Sequence, residues 1–96
     1  MRDSEVGEWA TRFALLSDPT RLRLLVEMHA DPDLPVAELA QRVGITENAA
    51  SQSLRALRDQ GWVETQRTGR TVHYRVVADA IVHRILHDIL GATHSH

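Results

Sequence analysis

Residues 46–76 read TENAASQSLRALRDQGWVETQRTGRTVHYRV, and the stretch changes its periodicity once, at Gly61. Before that glycine, Ala50, Leu54 and Leu57 recur at i, i+4 and i+7, one apolar face at helical spacing. Thr46 is placed to cap this helix, and Glu47 suits the positive end of its dipole. The opposite face carries Asn48, Ser51, Gln52, Arg55 and Arg58. After Gly61, Val63, Thr65 and Arg67 lead to Thr68-Gly69, and Thr71, His73 and Arg75 then alternate with Val72, Tyr74 and Val76. Two alternating runs around a glycine turn predict a hairpin, with Arg67 and Arg70 at its tip.

Upstream, Gly44 closes a short helix predicted over Val36–Val43, with Val36, Leu39, Ala40 and Val43 inward. Asp18-Pro19 predicts the start of another helix, the carboxylate as N-cap and proline at the first helical position. Leu22, Leu25, Val26 and Met28 are its expected buried stripe. The run Asp31-Pro32-Asp33-Leu34-Pro35 stops it, because proline lacks the amide donor and restricts the residue before it. A helix followed by a tight turn, a polar-faced helix and a basic β-ribbon is the layout of a winged helix-turn-helix.

The terminal segments extend that core. A first helix is predicted over Ser4–Leu16, with Trp9, Phe13 and Leu16 on one face. This face either caps the domain's own core or is buried against a second copy, the favoured reading. A last helix is predicted over Ala78–Leu90, where Ile81, Val82, Ile85, Leu86, Ile89 and Leu90 cover about half the circumference. So wide an apolar face on the final helix of a small domain points to contact with another subunit. The whole of 1–96 reads as one domain, mainly α with a small β-hairpin.

Composition narrows the function classes. Zero cysteines exclude disulfides, thiolate metal sites and thiol chemistry within these 96 residues. Neither a membrane-length apolar run nor a secretory leader is evident, so cytoplasmic residence without a membrane partner is expected. No glycine-rich phosphate loop or nucleophile–base arrangement points to an enzyme. The net charge of −2 conceals an uneven distribution: residues 42–75 hold six arginines against Glu47, Asp59 and Glu64. Every one of the eleven cations is arginine, able to offer a planar fork to phosphate or guanine. Asn48, Ser51, Gln52 and Arg55 are candidates for base edges. Arg67 and Arg70 are candidates for phosphates, and Arg58 either joins them or pairs with nearby acid. The bland alternative is that all of these form a solvated surface.

The chain resembles the ArsR/SmtB family of metal-responsive winged-helix regulators. The likeness rests on LLSDPTRLRLL (Leu15–Leu25), ASQSLRALRDQGWV (Ala50–Val63) and RTGRTVHYRV (Arg67–Val76). It implies the order α1-α2-α3-α4-β1-β2-α5, a homodimer through the first and last helices, and double-stranded operator DNA of imperfect dyad symmetry. Trp9, Phe13, Leu16, Ile81, Ile85 and Ile89 are the expected dimer contacts.

Six histidines without cysteine invite a metal reading. Family members that sense nickel, cobalt or zinc through the last helix use an Asp-x-His pair near its start and a second pair about ten residues later. Here Ala78, Ala80 and Gly91 fall at three of those places, leaving His94 in register. A shifted site from Asp79, His83 and His87, with His94 of a partner subunit, is the remaining candidate for Ni²⁺, Co²⁺ or Zn²⁺. Asp79, His83 and His87 at successive i+4 steps are equally compatible with a solvated helix edge. His29 is expected at the surface and His73 on the wing. Two further readings stay open: a DNA-binding dimer controlled by a co-regulator protein rather than metal, and a winged-helix protein-interaction module.

Overall fold

Asp18 and Thr46 each begin a helix by lending a side-chain oxygen to an amide that has no partner within the helix. Asp18 Oδ2 accepts from Arg21 N at 3.1 Å, and Thr46 Oγ1 from Ala49 N at 3.0 Å. Two glycines end helices in the left-handed conformation that other residues adopt only with strain. At Gly44 (φ 82°) the Ile45 amide turns back to the Ala40 carbonyl, and at Gly61 (φ 80°) the Trp62 amide turns back to Leu57.

The computed structural model describes residues 1–90. Its elements are α1 (Asp3–Leu15), α2 (Pro19–Ala30), α3 (Val36–Val43), α4 (Glu47–Asp59), β1 (Val63–Thr68), β2 (Thr71–Val76) and α5 (Ala80–Ile85). The last of these continues as a π-helical segment, Leu86–Leu90. The antiparallel pair β1–β2 runs in register from Val63↔Val76 to Thr68↔Thr71, so Gly69 and Arg70 form the tip. This is a winged helix-turn-helix with the predicted element order.

The core gathers around α2, which packs against α3, α4, β2 and the π-helical segment. Leu24, Leu25, Met28, Leu39, Leu54, Leu57, Trp62, Val82 and Leu86 are buried, with Leu34, Val63 and Tyr74 beside them. The inward set predicted for α4, Ala50, Leu54 and Leu57, is buried throughout. That for α2 needs correction. Leu24 joins Leu25 and Met28 in the interior, while Leu22 and Val26 are half-buried. Sequence spacing gives a helix's apolar stripe but not its rotation when elements pack on several sides, as they do around α2.

The last helix also departs from expectation at its start. Asp79 Oδ1 accepts from Ile81 N at 2.8 Å and Val82 N at 3.2 Å, so Asp79 is the cap and the helix begins at Ala80 rather than Ala78. The Ile89 side chain and residues 91–96, including His94, lie outside the described residues.

Replacing Leu54 by alanine removes a fully buried side chain from the centre of this core and is expected to destabilise the chain by about 2–5 kcal/mol. Asp18→Ala, which removes a helix cap only, is expected to cost about 1 kcal/mol. Urea denaturation of the two variants should therefore show midpoints well separated from each other, with Leu54→Ala the lower.

Candidate nucleic-acid interface

Helix α4 is fixed from below by Ala50, Leu54 and Leu57 and at its two ends by Thr46 and the Gly61 turn. Rotation about its axis is thereby set, and what it presents outward follows. Asn48, Gln52 and Arg55 are exposed along one strip, while Ser51, also a candidate for base contact, is half-buried at its edge. Ser53, on the other flank, is half-buried as well. Ala49 and Ala56, both half-buried, keep the helix slim beside its neighbours.

The six arginines of residues 42–75 divide into two groups. Arg42 reaches Asp31 at 3.4 Å and Glu27 at 3.8 Å, tying α3 to α2. Arg75 pairs with Asp33 at 3.1 Å, tying the wing to the loop after α2. Arg58 pairs with its neighbour Asp59 at 3.3 Å, the acidic alternative anticipated for it. Arg55, Arg67 and Arg70 are exposed and form no ion pair among the described residues. Surface ion pairs are weak, so Arg58 remains able to exchange Asp59 for a phosphate. Arg55, Arg67 and Arg70 thus sit on the outer strip of α4 and at the wing, where an extended polyanion can meet both.

The wing itself is held at its base. Val77 N donates to the Trp62 carbonyl at 3.2 Å, and Tyr74 is buried against the core. Its outer half, Thr65 to Val72, is exposed on every residue. A hairpin anchored at one end and open at the other can reach past the helix it follows. His73, expected on the wing, lies on β2 opposite Gln66 and is half-buried.

Trp62 is the residue that sequence reading passed over. It is fully buried; its indole Nε1 donates to the Arg12 carbonyl at 2.9 Å, and Phe13 packs on its ring at 5.9 Å between centroids. The Arg12 guanidinium lies 4.1 Å from the Trp9 ring centroid and 5.1 Å from that of Trp62. Its signal was its place directly after a helix-ending glycine, where a large apolar side chain folds back on the helix.

Phe13 and Ile81 keep 47% and 53% of their surface exposed, and both line one shallow apolar depression with Met1, Val6, Trp9 and Ala10. Leu16 is half-buried against the core, as is Ile85. The aromatic face of α1 therefore divides: its inner edge packs on Trp62 and its outer edge stays open beside α5.

The remaining candidates lie on the far side of α5. His83 and His87 are both exposed, with rings 5.6 Å apart and nearly parallel. His29, on α2, is half-buried and meets the His83 ring at 5.9 Å. Its nearness to α5 was not foreseen, since residues 54 positions apart share no local signal. Among the described residues, no three histidine or carboxylate side chains already converge as a metal site.

A winged helix-turn-helix DNA-binding family model matches residues 17–64, from just before α2 to the start of β1. The transcriptional repressor SmtB homologue of Synechocystis is 37% identical over 78 residues, covering 81% of this chain and 58% of that protein. The chain belongs to the ArsR/SmtB family. Its fold matches the solution structure of a homodimeric winged helix-turn-helix DNA-binding domain from Mycobacterium bovis, a possible ArsR-family regulator. That match has a TM-score of 0.79 and 26% identity, covering 100% of this chain and 90% of that one. The crystal structure of AntR, an antimony-specific transcriptional repressor, aligns with a TM-score of 0.77 and 35% identity over 97% of this chain and 83% of the other. The chain thus spans somewhat more than half the length of the SmtB homologue. The family is one of DNA-binding transcriptional regulators, not of enzymes.

Because Thr46 Oγ1 holds the first turn of the polar-faced helix, Thr46→Ala is expected to lower stability by about 0.5–2 kcal/mol. Hydrogen exchange should locate the loss: amides of Glu47 to Ala49 exchange faster in the variant, while those of Leu54 to Leu57 follow only the global change.

Proposed function

We propose that this chain is a cytoplasmic, homodimeric transcriptional regulator that binds double-stranded operator DNA and answers to a divalent metal ion. The observation that carries the DNA reading is the exposed strip Asn48–Gln52–Arg55 together with unpaired Arg67 and Arg70. Amides such as Gln52 and Asn48 can bond adenine bidentately, and Arg55 can bond guanine in the major groove. Ser51 would contribute from the edge of the strip. Arg58, Arg67 and Arg70 would contact phosphate, which positions a protein on DNA without specifying sequence.

The open apolar depression supports the dimer. Val6, Trp9, Phe13 and Ile81 form a contiguous patch of large side chains contributed by α1 and α5. A patch of this kind on a small domain marks an interaction surface, and the M. bovis relative is homodimeric. Leu16, Ile85 and Ile89 would extend it. A two-fold pair would set two α4 helices about 34 Å apart, on successive turns of one face of the duplex.

The metal reading draws on the nitrogen-rich surface of α5 and on AntR, a repressor specific for antimony. Asp79, His83, His87 and the partner's His94 are the proposed donors, and imidazole with carboxylate suits Ni²⁺, Co²⁺ or Zn²⁺. Asp79 keeps Oδ2 for this, since Oδ1 carries the cap. That cap also supports a second reading, in which the same dimer is controlled by a partner protein and Asp79 serves structure alone.

Fluorescence anisotropy with operator and scrambled duplexes tests the DNA assignment. Gln52→Ala is expected to lose discrimination between the two, with about 1–3 kcal/mol less preference for operator. Arg70→Ala should weaken both duplexes alike and reduce the slope of log K against log salt by about one. Equal losses for both variants on both duplexes would refute the division of roles. Separately, Val6→Asp is expected to yield a monomer by analytical ultracentrifugation at micromolar concentration, since it places a charge in the proposed contact; an unaltered dimer would move the interface elsewhere.

A further inference from the structure

The basic stretch 42–75 also holds three carboxylates, Glu47, Asp59 and Glu64, and they are placed differently. Asp59 pairs with Arg58 at 3.3 Å. Glu64 is half-buried at the base of the wing, in the wall of the cleft it shares with Arg75, α2 and α5. Glu47 is exposed, and its side chain makes no ion pair or hydrogen bond among the described residues. It is the first residue of α4, so an uncompensated carboxylate stands at the leading end of the helix that carries the DNA-facing strip.

Helix capping does not call for it. Thr46 Oγ1 already accepts from Ala49 N at 3.0 Å and holds the first turn. The positive end of the helix dipole favours an acid there, but a duplex makes the position costly, because phosphates repel a carboxylate. Glu47 therefore weakens association with every sequence, and weakens it least where a base edge offers a donor. In the major groove such donors are the amino groups of cytosine N4 and adenine N6. At adenine the acceptor N7 lies beside the amino group and repels a second acceptor, which leaves cytosine as the partner. A repulsion relieved at one base raises discrimination even as it lowers affinity. Placement agrees: Glu47, Ser51 and Arg55 follow at successive i+4 steps and form one row along the helix. The N-terminal residues of a recognition helix are those that approach base edges.

We infer that Glu47 is a specificity-determining residue whose carboxylate accepts a hydrogen bond from a cytosine N4 amino group, once in each half of a two-fold site. This rests on the reading that α4 enters the major groove. It adds to the amide and arginine contacts a group that selects by excluding the other bases rather than by tightening the complex.

Selection from a pool of random duplexes, by the wild-type chain and by Glu47→Ala and Asp59→Ala variants, tests this, with fluorescence anisotropy on the recovered sequence. The wild-type chain is expected to fix cytosine at one position in each half-site. Glu47→Ala should leave that position open, keep the others, and bind scrambled DNA more tightly than wild type. Replacing the cytosine by thymine should cost the wild-type chain about tenfold in affinity and the variant little. Asp59→Ala makes the same change of charge on the same helix; it should tighten all duplexes and retain the cytosine. If Glu47→Ala still selects cytosine, if it loses every position alike, or if Asp59→Ala loses the cytosine too, Glu47 does not read a base and the inference falls while the DNA reading stands. Recovery of no common sequence by the wild-type chain would overturn the DNA reading and this inference with it.

Discussion

Trp62 is where the chain's separate parts become one structure. Its amide closes α4 by donating to Leu57 at 2.9 Å, and its carbonyl receives the Val77 amide at the foot of the wing at 3.2 Å. The indole fills the interior and donates to the Arg12 carbonyl of α1 at 2.9 Å. Every polar group of this buried residue is thus satisfied, and each by a different element. An unsatisfied donor in such a place would cost about 1–3 kcal/mol, so the partners are as constrained as the tryptophan. The angle between α4 and the wing, on which any simultaneous contact with groove and backbone depends, is set at this residue. So is the docking of α1, whose outer edge supplies most of the open apolar patch.

The charge distribution follows a similar division of labour. A chain with net charge −2 is an unpromising ligand for a polyanion if its cations are taken as a pool. They are not a pool. Arg42 and Arg75 are tied to Asp31, Glu27 and Asp33, where they join α3 and the wing to the α2 end of the molecule. Acidic residues on α2 and the loop after it therefore offset structural arginines, while Arg55, Arg67 and Arg70 are exposed without an ion pair among the described residues. Local potential, not net charge, governs association with DNA.

What the sequence disclosed, and what it hid, divides by range. The helix-turn-helix and the wing were legible because their determinants are local: Asp18-Pro19, Gly44, Thr46, Gly61 and Gly69 each act within about one turn of chain. The buried face of α4 was legible because that helix is polar on its other side, so periodicity alone fixes its rotation. Helix α2 has apolar residues at Leu22, Leu24, Leu25, Val26 and Met28, more than one stripe can use, and only the elements packed around it select Leu24 over Leu22. Trp62 was hidden for the related reason that a single aromatic carries no period. The approach of His29 to His83 was hidden altogether, since it depends on how α2 and α5 cross. The exposed strip Asn48–Gln52–Arg55 was read directly; its candidate Ser51 is more enclosed than spacing implied.

The last helix bears the most competing demands. Val82 and Leu86 are fully buried on its inner side, Ile81 stands open beside α1, and His83 and His87 occupy a third side. Three such faces cannot all be served by one uniform α-helical stripe. A wider π-helical turn begins at Leu86 and changes the angular step between residues there, while His87, four residues after His83, keeps the same side of the helix and stacks on it. Departures from α-helical geometry of this type are frequent at functional sites. A segment shared between core, apolar patch and histidine cluster is also one in which a small shift alters all three together. An ion or partner that engages this helix therefore acts on the same element that joins the α1 patch to the base of the wing.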